Sequence, residues 1–133
     1  MIKVPYHLRH ISELTSEDDH QSALIEWSQL PETLALFPDL KWLFSVPNGD
    51  KRSQQTASLL KQTGVKKGVF DLLLLVPKCG FHGLCIELKY KKGKPSPEQI
   101  AFKEHHEKKG YRCIVCWDWM EASSEIFSYL SEQ

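Results

Sequence analysis

Residues Val69 to Val76 read VFDLLLLV, a nearly continuous apolar run interrupted by one acid, Asp71. The run has the length and composition of a strand. A lone carboxylate inside such a strand is costly to bury, so Asp71 must reach water at the end of a sheet or meet a cationic partner. Gly83 to Lys89 (GLCIELK) reads as the next strand. Between them, residues Pro77 to His82 have the composition of a hairpin loop, which makes the two strands antiparallel neighbours.

The remaining segments follow from caps and breakers. Thr15 or Ser16 is an N-cap for a helix whose first turn holds Glu17, Asp18 and Asp19, acids suited to the positive end of the helix dipole. Leu24, Trp27 and Leu30 recur at helical spacing, and Pro31 marks the end. Residues 1–14 read as irregular and residues 32–40 as a connector. Residues 41–46 (KWLFSV) form a strand closed by the turn Pro47-Asn48-Gly49-Asp50. Ser53 caps a short helix through Leu59 and Leu60 that stops at Gly64. Ser96-Pro97-Glu98-Gln99 opens a further helix with Ser as N-cap, Pro at N1 and Gln completing a capping box; Gly110 ends it. Tyr111 to Trp117 is a last strand and Glu121 to Leu130 a last helix. The order predicts a single α/β domain over residues 1–133, with a central mixed β-sheet flanked by helices.

Composition narrows the function. Seventeen basic and seventeen acidic residues give a formal net charge of zero, which excludes binding to nucleic acid by bulk charge alone. A local basic patch exists in Lys89, Lys91, Lys92 and Lys94. No apolar leader or membrane-length run is present, so an intracellular protein with reduced thiols is expected. Cys113 and Cys116 resemble half of a zinc site, but Cys79 and Cys85 are not spaced as a second ligand pair. Residues three apart on a strand also face opposite ways. The four cysteines are therefore read as strand residues, and the six histidines as surface helix residues.

Period-two geometry puts Cys85, Glu87 and Lys89 on one face of their strand. Alone, that pattern describes a solvated face with a charge pair. The hairpin changes its meaning, because it brings Asp71 and Glu87 to the same end of the sheet. Two carboxylates aimed at one spot repel, and a divalent cation relieves the repulsion. Mg²⁺ favours one or two carboxylates plus waters and phosphate oxygens. A lysine beside it can orient or deprotonate an attacking water, and the metal polarises the scissile phosphate. These are the parts that phosphodiester hydrolysis needs.

At these residues the chain resembles the PD-(D/E)xK nuclease superfamily and, more narrowly, the VRR-NUC family, whose stand-alone members occur in phages and bacteria. The resemblance runs from about Ser16 to Leu130. It is carried by Glu17 and Gln21, by Val46-Pro47-Asn48-Gly49, by the stretch Gly64 to Asp71, by Gly83 to Lys89, by Ser96-Pro97-Glu98-Gln99 and by Lys109-Gly110-Tyr111. One departure is Phe70, where the family usually has proline before the metal-binding acid. The resemblance implies a restriction-endonuclease-like core using Mg²⁺ or Mn²⁺. It implies Asp71, Glu87 and Lys89 as the catalytic trio, a Leu88 backbone carbonyl ligand, and Gln99 beside the site. It also implies a first-helix acid at the metal. Glu17, which shares a helix face with Gln21, is preferred to Glu26 for that part.

Nucleic-acid contacts are expected from Gln21, Asn48, Arg52, Lys66, Lys67, Lys91, Lys92 and Lys94, mainly to phosphates, since no base-reading motif is present. The resulting expectation is a cytoplasmic endonuclease acting on DNA. A homodimer resolving four-way (Holliday) junctions is expected, because a two-fold assembly matches the symmetry of the junction and stand-alone relatives are associated with that task. The alternatives are a non-catalytic nucleic-acid-binding module with a nuclease-like fold, and a restriction-type or nonspecific nuclease.

Overall fold

The structure is a computed structural model that describes residues 4–47 and 54–131, apart from the side chains of Gln54 and Gln55. Two 3-10 turns, Tyr6–Leu8 and Ile11–Glu13, lead into helix α1 (Glu17–Ser28). Ser16 is its N-cap, with its hydroxyl accepting the Asp19 N–H at 3.0 Å. Helix α2 (Pro31–Leu36) and a 3-10 segment (Pro38–Trp42) precede strand β1 (Phe44–Ser45). Helix α3 (Gln54–Gln62), strands β2 (Leu72–Leu74) and β3 (Leu84–Leu88), helix α4 (Pro97–Lys108), strand β4 (Arg112–Cys116) and helix α5 (Trp119–Ser131) complete the order.

The sheet runs β1-β2-β3-β4. The first three strands are antiparallel neighbours, and β4 lies parallel to β3 after the excursion through α4. This is the mixed α/β sheet that the sequence implied. Its two faces carry separate cores. Leu72, Leu74, Leu84, Ile86, Leu88 and Ile114 pack with α1 and α5 through Ala23, Leu24, Ala122 and Ile126. On the opposite face Phe70, Cys85 and Cys113 pack with Leu73, Phe102 of α4, Tyr111 and Val115. Strand β3 is thus buried at every residue. The four cysteines are free thiols, and Cys113 and Cys116 lie in opposite cores.

Several boundaries differ from the sequence reading. The strand expected over 41–46 is reduced to Phe44 and Ser45, because Pro38 starts a 3-10 turn that takes in Lys41 and Trp42. The strand expected over 69–76 is reduced to Leu72–Leu74, with one further ladder bond to β1 at Asp71. A run that is apolar on both sides of its single acid has no periodic signal to say where pairing stops. Residues 4–14 are two ordered turns rather than irregular chain, tied to α1 by His7, whose N–H donates to Glu26 Oε1 at 2.9 Å. Helix α5 starts at Trp119 because Asp118 Oδ1 accepts the Glu121 N–H at 2.7 Å. The proposed Ser53 cap lies outside the described residues. No described helix is long and apolar enough to cross a membrane.

Phe70 takes over an anchoring role: it is fully buried, and its ring stacks on Phe102 of α4 with centroids 5.0 Å apart. Two residues earlier, Gly68 has φ of +87°, and a Cβ there would fall 2.6 Å from the backbone carbon and oxygen of Glu98. Only glycine lets the chain pass this close to the start of α4. Gly68→Ala is therefore expected to destabilise the protein by about 2 kcal/mol or more. Chemical denaturation checks this, with Gly80→Ala as a control for left-handed strain alone, since a Cβ at Gly80 meets nothing within 4 Å.

Candidate active site

The β1–β2–β3 register determines where Asp71 sits. Its carbonyl accepts the Val46 N–H at 2.8 Å, which extends the β1–β2 ladder by one residue. On the other side its N–H donates to Glu87 Oε1 at 3.2 Å. The Asp71 carboxylate turns toward the end of β3 and accepts the Leu88 N–H through Oδ2 at 3.0 Å. Asp71 is consequently half-buried, while Glu87 is only 1% exposed.

Glu87 is held from several directions. Gln99 Nε2 donates to Oε2 at 2.9 Å, and Lys89 Nζ lies 3.3 Å from the same oxygen. Gln99 also accepts the Ser96 N–H through Oε1 at 2.9 Å, while Ser96 Oγ accepts the Gln99 N–H. The capping box and the contact with the site therefore coexist in one side chain. Cys85, Glu87 and Lys89 do share a face, but it is covered by α4 rather than solvated.

Glu17, the first residue of α1, completes the cluster. Carboxylate oxygens of Glu17, Asp71 and Glu87 all lie within 4.8 Å of one another. Glu26 does not join them, because its Oε1 is taken by the N–H and Nδ1 of His7 at 2.9 and 3.0 Å. A cleft of about 570 Å³ opens over the acids, with Thr15, Ser16, Glu17, Gln21, Ser45, Asp71 and Tyr90 on its walls. Gln21 thus falls beside Glu17 and Asp71. Lys66, Lys67, Lys91, Lys92 and Lys94 are exposed. Asn48 and Arg52 lie outside the described residues.

Sequence reasoning missed two residues here. Tyr90 lines the cleft, and a tyrosine set between Lys89 and Lys91 carries no sequence signal of that place. His20, expected on the surface, is 2% exposed, and its Nδ1 accepts the Trp119 N–H at 3.1 Å. The clue for His20 was its spacing: it precedes Leu24 by one helical turn, on the buried side.

Burial raises the Glu87 carboxyl to about 8, and the nearby Asp71 charge adds to the rise while Lys89 opposes it. Asp71 is also raised, chiefly by burial and further by the Glu17 charge, against the lowering effect of the Leu88 N–H. Burial lowers His20.

The fold and site together define a class: an α/β domain with a restriction-endonuclease-like core and the Asp…Glu-x-Lys arrangement at the end of its antiparallel hairpin. No family model matches the sequence, nor does any curated protein. Among solved structures, the chain is similar to a VRR_NUC domain protein, with a TM-score of 0.71 and 27% identity over 87% of this chain and 88% of that one. The resemblance to the VRR-NUC nuclease-domain family is therefore one of fold as well as of motif.

The raised acids make a prediction about the metal-free protein. The folded state keeps a proton on Glu87 that the unfolded chain gives up near 4.5, so stability falls as pH rises from about 4.5 to about 8. His20 acts in the opposite sense, weakening the fold as pH drops below 6.5. Urea unfolding in EDTA across this range should show the alkaline loss, and Glu87→Gln should reduce it to the part that Asp71 contributes. A Glu87→Gln profile parallel to wild type would refute the assignment.

Proposed function

We propose that the chain is a divalent-metal-dependent endodeoxyribonuclease that cuts branched DNA, four-way junctions above all, as a homodimer. The observation that carries the catalytic part is the convergence of the Glu17, Asp71 and Glu87 carboxylates, with Lys89 held against Glu87. Three acids this close fit a hard cation, Mg²⁺ or Mn²⁺, which needs oxygen donors and leaves room for water and phosphate. Asp71 and Glu87 would hold it, with Glu17 and the Leu88 carbonyl as further ligands. When bound, it supplies Lewis acidity at the scissile phosphate.

The side chains divide the remaining work. Lys89 orients the attacking water and moves its proton. Gln99 fixes the Glu87 carboxylate by occupying Oε2. Gln21, Lys66, Lys67, Lys91, Lys92 and Lys94 contact the DNA, and the exposed lysines suit phosphates rather than base edges. Asn48 and Arg52 belong to the same expectation. Free cysteines fit the reducing cytoplasm of a bacterial or phage-infected cell.

Two measurements test the chemistry. Calorimetry with Mn²⁺ should detect binding by the wild type and little or none by Asp71→Ala; equal binding removes Asp71 from the site. Lys89→Met should lower single-turnover cleavage by about 10²- to 10⁴-fold, the usual worth of a positioned proton-transfer group. Its metal and DNA affinities should stay close to wild type. Near-normal cleavage by this variant would end the nuclease reading of β3.

Assembly and substrate rest on a different support. The described residues of one chain hold one such acid cluster, whereas resolving a four-way junction takes two nicks related by approximate two-fold symmetry. A two-fold dimer supplies them. Trp42, Leu36, Leu75 and Phe127 are 69%, 68%, 66% and 50% exposed, and an interface of this kind would give such side chains cover. Light scattering should give twice the 15.4 kDa chain mass, and a labelled junction should be nicked in pairs. A monomer that prefers linear duplex would overturn this part alone.

A further inference from the structure

The chain beyond Lys89 is fixed more firmly than a basic loop requires. The Lys89 N–H donates to the Cys116 carbonyl at 2.8 Å, prolonging the β3–β4 pairing. The Gly93 N–H then donates to the Tyr90 carbonyl at 2.9 Å, closing a tight turn. Trp117 braces that turn, its indole N–H donating to the Gly93 carbonyl at 2.8 Å. Within the turn Lys91 has φ of +52°, a left-handed conformation that non-glycine residues seldom adopt and that persists only where the surroundings enforce it.

What this bracing holds in place is the ring of Tyr90, half-buried in the cleft wall beside Glu17 and Asp71. His20 backs the ring, with centroids 5.8 Å apart and planes tilted by 39°. His20 is itself immobilised by the Trp119 N–H at the start of α5. Lys91 Nζ sits 5.2 Å from the Tyr90 ring centroid, an exposed cation beside a flat aromatic face.

We propose that Tyr90 is a stacking platform for an unpaired base next to the scissile phosphate, with Lys91 leaving the ring to meet a neighbouring phosphate. The inference rests on the nuclease reading above and deepens it by naming what the cleft selects. An aromatic ring recognises any base through its π-face and is indifferent to sequence. A base inside continuous duplex already stacks on its neighbours and must be freed at a cost. A base at a branch point is partly free. Tyr90 therefore discriminates by strand structure: it rewards DNA that arrives with an unstacked nucleotide at the acids.

The test uses the full chain and a four-way junction in which 2-aminopurine is walked one nucleotide at a time through the branch point. Ca²⁺ replaces Mg²⁺ so that binding is read without cleavage. Stacking on Tyr90 should quench the fluorescence at one position in the wild type. Tyr90→Leu should lose that quench, while Tyr90→Phe and Tyr90→Trp should keep it. Tyr90→Leu should also lower the preference for junction over continuous duplex by roughly tenfold, in line with the usual worth of one base–aromatic stack. A packing defect would shift the thermal midpoint of Tyr90→Leu and weaken both DNAs alike, leaving the quench in place. The inference is overturned if the wild type binds the junction with no quenched position, if the quench survives in Tyr90→Leu, or if Tyr90→Leu keeps the wild-type preference. Failure of the nuclease reading looks different: the wild type quenches 2-aminopurine in Ca²⁺ yet cuts nothing in Mg²⁺ or Mn²⁺.

Discussion

Burying the Glu87 carboxylate in the middle of the fold is the demand that the neighbouring elements answer. Ionising a carboxyl that has been taken from water carries a large penalty, which is why the Glu87 pKa is raised in the metal-free protein. Here both oxygens have partners, the Asp71 N–H on Oε1, and Gln99 Nε2 with Lys89 Nζ on Oε2. Lys89 comes from the same stretch of chain, two residues on, but Asp71 and Gln99 are supplied by the start of β2 and by α4. Gln99 reaches Glu87 only because α4 lies across the sheet, and α4 lies there because Phe102 meets Phe70 and because Gly68 lets the incoming chain pass against Glu98. The same contacts that close the second core thus keep the acid in place. Such polar networks are sensitive to loss of any single member, since the remaining groups are left desolvated and short of partners.

The pairing of Asp71 with Glu87 is a second consequence of the sheet. Asp71 lies just before Leu72, the first β2 residue paired to β3, so its N–H is free to meet a side chain instead of a ladder carbonyl. Its carboxylate is free to turn toward Leu88 and the cleft. Had β2 continued through residues 69–71 as an ordinary strand, the Asp71 N–H would have been consumed by backbone pairing. The shortness of the strand is therefore part of how the site is made.

Much of this was legible in the residues. The hairpin composition of Pro77 to His82 placed the two acids on antiparallel neighbours, and the Ser96-Pro97-Glu98-Gln99 signature fixed the start of α4. What sequence could not show was that the Glu87 face is roofed. Cys85, Glu87 and Lys89 alternate with Leu84, Ile86 and Leu88 as they would on a half-exposed strand, and only the docking of Phe102 and Phe70 distinguishes the two cases. Helical periodicity could not separate Glu17 from Glu26 either. The difference between them is tertiary: the first turn of α1 meets the sheet end, while His7 takes up Glu26. Tyr90 was hidden for a related reason, because a tyrosine between lysines reads as loop composition until β3 and β4 are seen to continue past their ends.

The net neutrality of the chain is compatible with DNA as a ligand once charge is considered at the scale on which it acts. At physiological salt the screening length is about 8 Å, so a phosphate at the cleft responds to what lines it and hardly to the total. Acids occupy the floor, where a cation would reverse their sign toward phosphate. Lys91, Lys92 and Lys94 follow closely on Glu87 and Lys89, and they are exposed. Strand β3 therefore delivers the buried acid, and Lys89 and the exposed lysines follow it within a few residues. A one-residue slip of β3 would turn Glu87 into the α1–α5 core and dismantle all three at once. Register, more than any single contact, thus couples the stability of this sheet to the integrity of the site.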